Sequence, residues 1–534
     1  MTYKYCILAA GAGHRYFFSK NSHKALLPLG NRTVLSLLLE KMDSKISIVM
    51  AIGHNGQLLQ EYMSLVHPNL RVTYVMIDKI EGPGTGPGYS LLQCKQELMC
   101  SFVLLNCDSY IGQKIPAPDE NWMGVSKVSV PEPYCLMGTR GGLVEAILDK
   151  PSYREIAESP YEPEDTLNNA FTGLAGILNY ETFWDGLEAN PVERAGELQV
   201  SNGFEALISK TLKVHRFYEW LDTGTDKSYS VAIERVGKNQ VLLKPEEFIY
   251  FENDRVIKFF ANAATAKNRV YRASKLKGIV PEIQNHTEHF FSYKFVPGKM
   301  LSEISDIYQF RKLLEISESS LFVPVELNPE QKTQFKQHCK EFYYNKTLNR
   351  LDNYYQIRPV QDREHLINGL AVPKLSDLLK EVDWEKLSEG IPTLFHGDFQ
   401  PENIICNEEQ FTFIDWRQDF NGELEFGDLY YDFAKLYHAL ILNANMIRNN
   451  EYIVKREGGY VEFELNIKSN LLEFLFVFEK YIKEKGYDII KVKTLSALMY
   501  LNIAPLHHTP YSELLYFLGK RFLYNILHSK GVFP

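Results

Sequence analysis

The sequence predicts an α/β chain of two domains: a Rossmann-like domain of parallel βαβ units over residues 1–236, then a small sheet with a large helical lobe, α+β, over 237–534. Three observations predict it. Short apolar runs alternate with amphipathic ones through the first 110 residues, the pattern of βαβ units. Near Gly237 the pattern breaks: YSVAIERVGKNQ reads as a last helix, and FIYFENDRVIKFF reads as a new strand, turn and strand. Beyond residue 302, long amphipathic segments such as LLEFLFVFEKYIKEKGY dominate. A chain of 534 residues is also longer than one core supports.

Taken in order, Tyr3 to Leu8 form a buried strand that ends in the turn Gly11-Ala12-Gly13, where bare backbone can approach a ligand. VLSLLLEKM predicts a helix, ISIVMAIGH and RVTYVMID strands, GYSLLQCKQELM a helix and FVLLNCD a strand. Ligands of such sheets lie at the carboxyl ends of strands, and both the glycine turn and Asp108 fall there. The turn is not a dinucleotide fingerprint, because Tyr16 stands at the third glycine and residues 31–35 contain no carboxylate. A Walker string is missing throughout. Two cations come after the turn, Arg15 and Lys24, and they suit a triphosphate.

A net charge of −9 argues against a nucleic-acid partner, whose phosphates need a basic surface. Apolar runs fall short of the roughly 20 residues of a membrane helix and the N-terminus lacks a signal peptide's pattern, so the expectation is a cytoplasmic protein without membrane insertion. The seven cysteines form no C-x-x-C pair and read as small buried residues, neither disulfides nor a zinc site.

LAAGAGHR followed by HKALLPLGNRTVL, with NNAFTGLAGIL, GELQV and EWLDTGTDKSY further on, resembles the sugar-phosphate nucleotidyltransferases, such as glucose-1-phosphate thymidylyltransferases and phosphocholine cytidylyltransferases, over residues 1–236. The chemistry suits the residues. A phosphate oxygen attacks an α-phosphorus and pyrophosphate leaves, so growing negative charge must be neutralised. Gly11, Gly13 and Arg15 can hold the outer phosphates, Lys24 can reach the α-phosphate, and Asp108 and Asp222 can bind Mg²⁺. The resemblance assigns the same two aspartates. It further implies Gly86 and Gly88 against the base, and Asp149, Lys150, Gly173 and Glu197 around the acceptor. His23 and Cys107 depart from the family's usual proline and glycine.

FHGDFQPENIICNEEQFTFIDW places an Asp five residues before an Asn and a second Asp twelve residues later. This is the arrangement of kinase-like phosphotransferases: Asp398 orients the acceptor hydroxyl, and Asn403 and Asp415 hold Mg²⁺ on ATP. Residues 237–534 resemble the aminoglycoside phosphotransferase and choline kinase group. Lys258 in RVIKFF is the expected phosphate-binding lysine, with Glu282 the candidate partner, and Asp428 resembles the aspartate that braces the catalytic loop.

A kinase joined to a nucleotidyltransferase makes two consecutive steps: a hydroxyl becomes a phosphomonoester, which is then coupled to CTP, UTP or dTTP with release of pyrophosphate. The acceptor is a sugar, giving a nucleotide-sugar building block for surface polysaccharide, or an amino alcohol such as choline or ethanolamine, giving a CDP conjugate. An aromatic cage, with Trp416 and DLYYDF as sources, would favour choline. A third reading makes the kinase-like domain a non-catalytic binding module.

Overall fold

The structure is a computed structural model that describes residues 3–11, 13, 21–189, 193–194, 196–237, 244 and 246–529. By its internal contacts the chain divides into two compact units, Met1–Ala263 with Gln284–Tyr293, and Ala264–Ile283 with Lys294–Pro534.

The first unit is built on Lys4–Ala9, buried on both faces as a central parallel strand must be. Parallel neighbours flank it: Ile48–Ile52 on one side, paired from Tyr5↔Ile48 to Ala9↔Ile52, and Phe102–Asn106 on the other. The chain winds outward through Ile48–Ile52 to Val72–Met76, then returns across the first strand to Phe102–Asn106. Strand order therefore reverses between Lys4–Ala9 and Phe102–Asn106, and a crevice opens at their carboxyl ends. Beyond Phe102–Asn106 the sheet continues through Ala170–Ile177, Asn121–Ser126, Leu212–Arg216, Leu143–Asp149 and Cys135–Arg140, making nine strands. This half is mixed, because Ala170–Ile177 runs antiparallel to both of its neighbours. Helix Gly56–Val66 buries Leu58, Leu59, Tyr62 and Met63, an apolar face at helical spacing.

The hairpin Glu247–Glu252 and Arg255–Phe260 was expected to open the second domain, but its contacts gather it into the first unit. The reason is apolar burial: Phe248, Tyr250, Ile257, Phe259 and Phe290 share one core with Leu26 and Tyr62. Tyr250 Oη donates to the Leu26 carbonyl at 2.7 Å, and Arg32 Nε donates to Glu252 Oε1 at 3.1 Å.

The second unit is mostly helical. Leu429–Ile441, Ile489–Ile503 and Tyr511–Leu527 pack together, with Ser469–Glu484 against the first. A short hairpin, Ile404–Asn407 with Gln410–Phe413, follows the segment His396 to Asn403. One apolar stretch is longer than expected from the sequence: Ile489–Leu506 reaches a mean hydropathy of 1.3 over 18 residues, and 72% of it is buried inside this unit. It is a core helix by packing, carrying the buried Lys491 and Lys493.

Candidate active sites

In the first unit, the two candidate metal carboxylates come from segments far apart in the chain. Asp108 ends the turn after Phe102–Asn106, and Asp222 closes the short strand Trp220–Asp222. The antiparallel pairing of Ser109–Ile111 with Trp220–Asp222 sets Ser109 opposite Asp222, and the Thr223 amide donates to the Asp108 carbonyl at 2.9 Å. Both side chains then converge on bare Gly224. A Cβ at Gly224 would lie 2.8 Å from Asp222 Oδ1 and 3.5 Å from Asp108 Oδ2. Burial, and then the negative Asp108, push the Asp222 carboxyl above its ordinary range. Lys24 Nζ sits 2.7 Å from Asp108 Oδ2, and a Cβ at Gly11 would lie 3.9 Å from the same amine. The glycine turn therefore faces the lysine.

These groups line a cavity of about 870 Å³ at the sheet's switch point. Gly11, Gly13, Lys24, Gly86, Asp108, Asp149, Lys150, Gly173, Glu197 and Asp222 all border it. Gly173, at φ +83°, sits where the pairing of Ala170–Ile177 with Asn121–Ser126 slips, and a Cβ there would come 2.5 Å from Asn106 Nδ2. Only glycine fits both demands. Gly88 is placed differently: a Cβ there would meet the Gln199 and Leu198 carbonyls at 2.6 and 2.8 Å, so it lets helix Pro87–Gln93 pack on that backbone instead of bordering the cavity. Arg15 lies outside the described residues.

Two sets of contacts here were not legible in the sequence. Tyr134 donates to Asp222 Oδ2 at 3.4 Å and stands edge-on to Trp220, with ring centroids 5.7 Å apart. His23, standing in the proline's place, bonds the Ala9 carbonyl through Nε2 at 2.9 Å, while Nδ1 accepts from the Ala25 amide at 3.1 Å. It thus ties the end of the first strand to the turn that carries Lys24.

In the second unit, Asp398 is held from two sides. Lys435 Nζ lies 2.7 Å from Oδ1, and Asn403 Nδ2 donates to Oδ2 at 2.9 Å. Burial works against ionisation, yet the Lys435 ammonium holds this carboxyl below its usual range. Asp415 adopts a left-handed φ of 60° and pairs through Oδ1 with Arg269 on helix Ala263–Lys275. Trp416 Nε1 donates to the Arg269 carbonyl at 2.8 Å, which fixes that helix to the loop.

Three expectations need correction. The brace of the catalytic loop is Asp432: its carboxylate accepts the His396 and Gly397 amides, both at 2.7 Å. Asp428 accepts instead from Tyr343 Oη at 2.6 Å and the Ile391 amide at 2.9 Å. Lys258 belongs to the first unit, where it is buried 3.6 Å from Glu247 Oε1, whereas Glu282 is exposed. Trp416, Tyr430 and Tyr431 are buried, at 1%, 7% and 6% exposure, and form no open aromatic cage.

Asp432→Ala strands the two buried amides of the catalytic loop. We expect a loss of about 2 to 4 kcal/mol in urea unfolding, with Asp428→Ala leaving the loop amides bonded. The buried histidines set an acid limit. Burial is the main reason that His23 and His396 are lowered to about 4, below the ordinary 6.5. Between those values the unfolded chain takes up protons that the folded chain refuses. Stability is therefore full above pH 6.5 and declines toward pH 4, and a thermal melt series that stays flat over this window would contradict both assignments.

Comparison with known proteins finds similarity in both halves of the chain. Residues 330–456 match the phosphotransferase enzyme family. The matched stretch contains Asp398, Asn403 and Asp415. The chain is also similar to solved nucleotidyltransferases. A protein from Bacillus anthracis described as a glucose-1-phosphate thymidylyltransferase is 20% identical, with 46% of this chain covering 98% of that one at a TM-score of 0.36. A UDP-glucose pyrophosphorylase is 18% identical over 44% and 98% of the two chains, at 0.35. A CTP:phosphocholine cytidylyltransferase from Streptococcus pneumoniae is 17% identical over 44% and 99%, at 0.34. No curated protein matches the chain significantly.

Proposed function

We propose that the chain is a bifunctional kinase and nucleotidyltransferase, acting in sequence on one small hydroxyl compound. The observation that carries the reading is the presence of two separate carboxylate constellations, Asp108 with Asp222 in the first unit and Asp398 with Asp415 in the second. In the second unit, Asp398 orients the acceptor hydroxyl and takes its proton. The hydroxyl oxygen bonds to the γ-phosphorus of ATP, the bond to the bridging oxygen breaks and ADP leaves. In the first unit, an oxygen of the resulting phosphomonoester attacks the α-phosphorus of a second nucleoside triphosphate and pyrophosphate leaves. Lys24 and the turn at Gly11 and Gly13 steady the phosphates, and the wall from Asp149 to Glu197 faces the acceptor.

Both sites offer donors that fit Mg²⁺. Asp108 and Asp222 are hard oxygen ligands converging on one bare glycine, and Asp415 with Asn403 offers a second pair. Bound there, the ion would neutralise phosphate charge. The proposed product is an activated conjugate of the kind used to build surface polysaccharide. The test is to incubate the full-length protein with ATP, a nucleoside triphosphate and a panel of sugars, sugar acids and amino alcohols. ADP and pyrophosphate released in equal amounts support the reading, and neither released with any compound overturns it.

The pair between Arg269 and Asp415 favours a second reading, a phosphotransferase fold that binds without turnover, because the cation occupies the expected metal aspartate. Arg269→Ala separates the two. Turnover that persists in the wild type and changes little in the variant excludes the binding module.

A further inference from the structure

We propose that the hydroxyl compound phosphorylated by the second unit is itself an anion, an alcohol that already bears a carboxylate or a phosphate group. The inference rests on the kinase reading above and names the substrate class of the same site.

Cations from three elements gather beside Asp398. Lys435, on helix Leu429–Ile441, holds Asp398 Oδ1 at 2.7 Å. Arg417 follows the pair Asp415-Trp416, and its amide donates to the His396 carbonyl at 2.9 Å. Its side chain lies on Gly397, next to Asp398: a Cβ on Gly397, at φ +83°, would come 2.5 Å from Arg417 Cβ. The third element is helix Lys346–Ile357, which begins directly after the π turn Glu341–Asn345, an irregularity that often marks a functional site. Lys346 Nζ stands 4.1 Å from the Phe342 ring centroid and the Arg417 guanidinium 5.0 Å from the same centroid, so one buried ring supports both. Arg350, four residues further along the same helix, lies on the same face as Lys346 and adds a fourth charge.

Fewer negative groups face them. Asp398 is taken by Lys435, and Asp419 is the carboxylate that acts on Lys346. Glu341 is bonded to Asn421 and Gln337, and Asp415 to Arg269. Glu341 keeps its charge, because its partners are neutral amides, so five cations, Arg269 included, stand against four carboxylates and the field beside the proposed base stays positive. Their mutual repulsion is visible at Lys346, which burial and then Arg417, Lys435 and Arg350 push down to about 7. An anionic substituent on the acceptor relieves that repulsion, and a quaternary or primary amine adds to it. A neutral alcohol gains nothing from it.

The test uses the full-length protein with Mg²⁺ and ATP, and matched acceptors: glycerol against glycerate and glycerol 1-phosphate, glucose against gluconate and glucose 6-phosphate, and choline. We expect an anionic member to exceed its neutral counterpart by about 10²-fold in kcat/KM, the share of two charge-assisted contacts, and its KM to rise with salt. The carboxylate and phosphate members distinguish the two sources of charge. Lys346→Gln and Arg350→Gln should each raise KM for that substrate about tenfold while kcat and the KM for ATP hold. Inorganic phosphate supplies a readout without turnover: calorimetry should show about tenfold weaker binding to Lys346→Gln than to the wild type at this site. Preference for a neutral alcohol or choline, or equal phosphate binding by both proteins, overturns the anionic substrate and leaves the kinase reading standing. If ATP with Mg²⁺ does not bind, the kinase reading fails and this inference with it.

Discussion

Asp222→Asn should lower pyrophosphate release by at least about 10²-fold while the protein stays folded and still forms ADP, since a metal-held charge in a phosphoryl site is worth several kcal/mol. The structure supplies a second signature. Asp222 is buried beside Asp108, and its raised carboxyl marks a site that favours the uncharged form. A group with this sign contributes stability at low pH that is lost as pH rises. Asparagine removes that penalty, so the variant's melting temperature should hold or rise near neutral pH as activity collapses. Stability and activity moving in opposite directions is what a functional strain predicts and what a structural carboxylate does not. Full activity in Asp222→Asn would remove the metal assignment, and equal losses of activity and stability would make Asp222 a structural residue.

Asp398→Asn should abolish conversion of the unphosphorylated substrate, a loss of about 10²- to 10⁴-fold for a positioned proton acceptor. Lys435 and Asn403 both bond this carboxylate, and an amide keeps one acceptor oxygen for them, so the loop should stay folded. The informative arm is rescue. Given the ready-made phosphomonoester and the correct nucleoside triphosphate, the variant should release pyrophosphate at the wild-type rate, because Asp108 and Asp222 lie in the other unit. Rescue identifies two consecutive steps on one chain. Failure of every phosphomonoester to restore conjugate formation in a folded protein would break the link between the two activities.

Much of both candidate sites can be read from the sequence because their residues sit in short strings at the ends of strands. FVLLNCD places Asp108 at a carboxyl edge by hydrophobic pattern alone, and HGDFQPEN carries Asp398 and Asn403 five residues apart, so local backbone dictates their proximity. The mixed α/β character and the return of helices after residue 302 followed from periodicity in the same way. Where partners are distant in sequence, the pattern was silent. Asp428 caps helix Leu429–Ile441 from its extended approach and Asp432 lies four residues on in its first turn, so spacing cannot say which of them meets the loop.

Residue order alone thus accounts for the strands of the parallel half-sheet, the glycine turn with its lysine, and the carboxylates competent for phosphate chemistry, because each is written in a stretch shorter than one supersecondary unit. Their company was settled by packing. The register Ser109↔Asp222 brings Asp108 and Asp222 to one glycine, and apolar burial of Phe248, Tyr250 and Phe259 draws a hairpin expected in the second domain into the first unit. Tertiary contacts likewise set Glu247 on Lys258, Arg269 on Asp415, Lys435 on Asp398, and Lys346 and Arg417 over the Phe342 ring. The physical reason is range: backbone pattern acts over a few residues, whereas ion pairs and cores are chosen by whichever surfaces can be buried together.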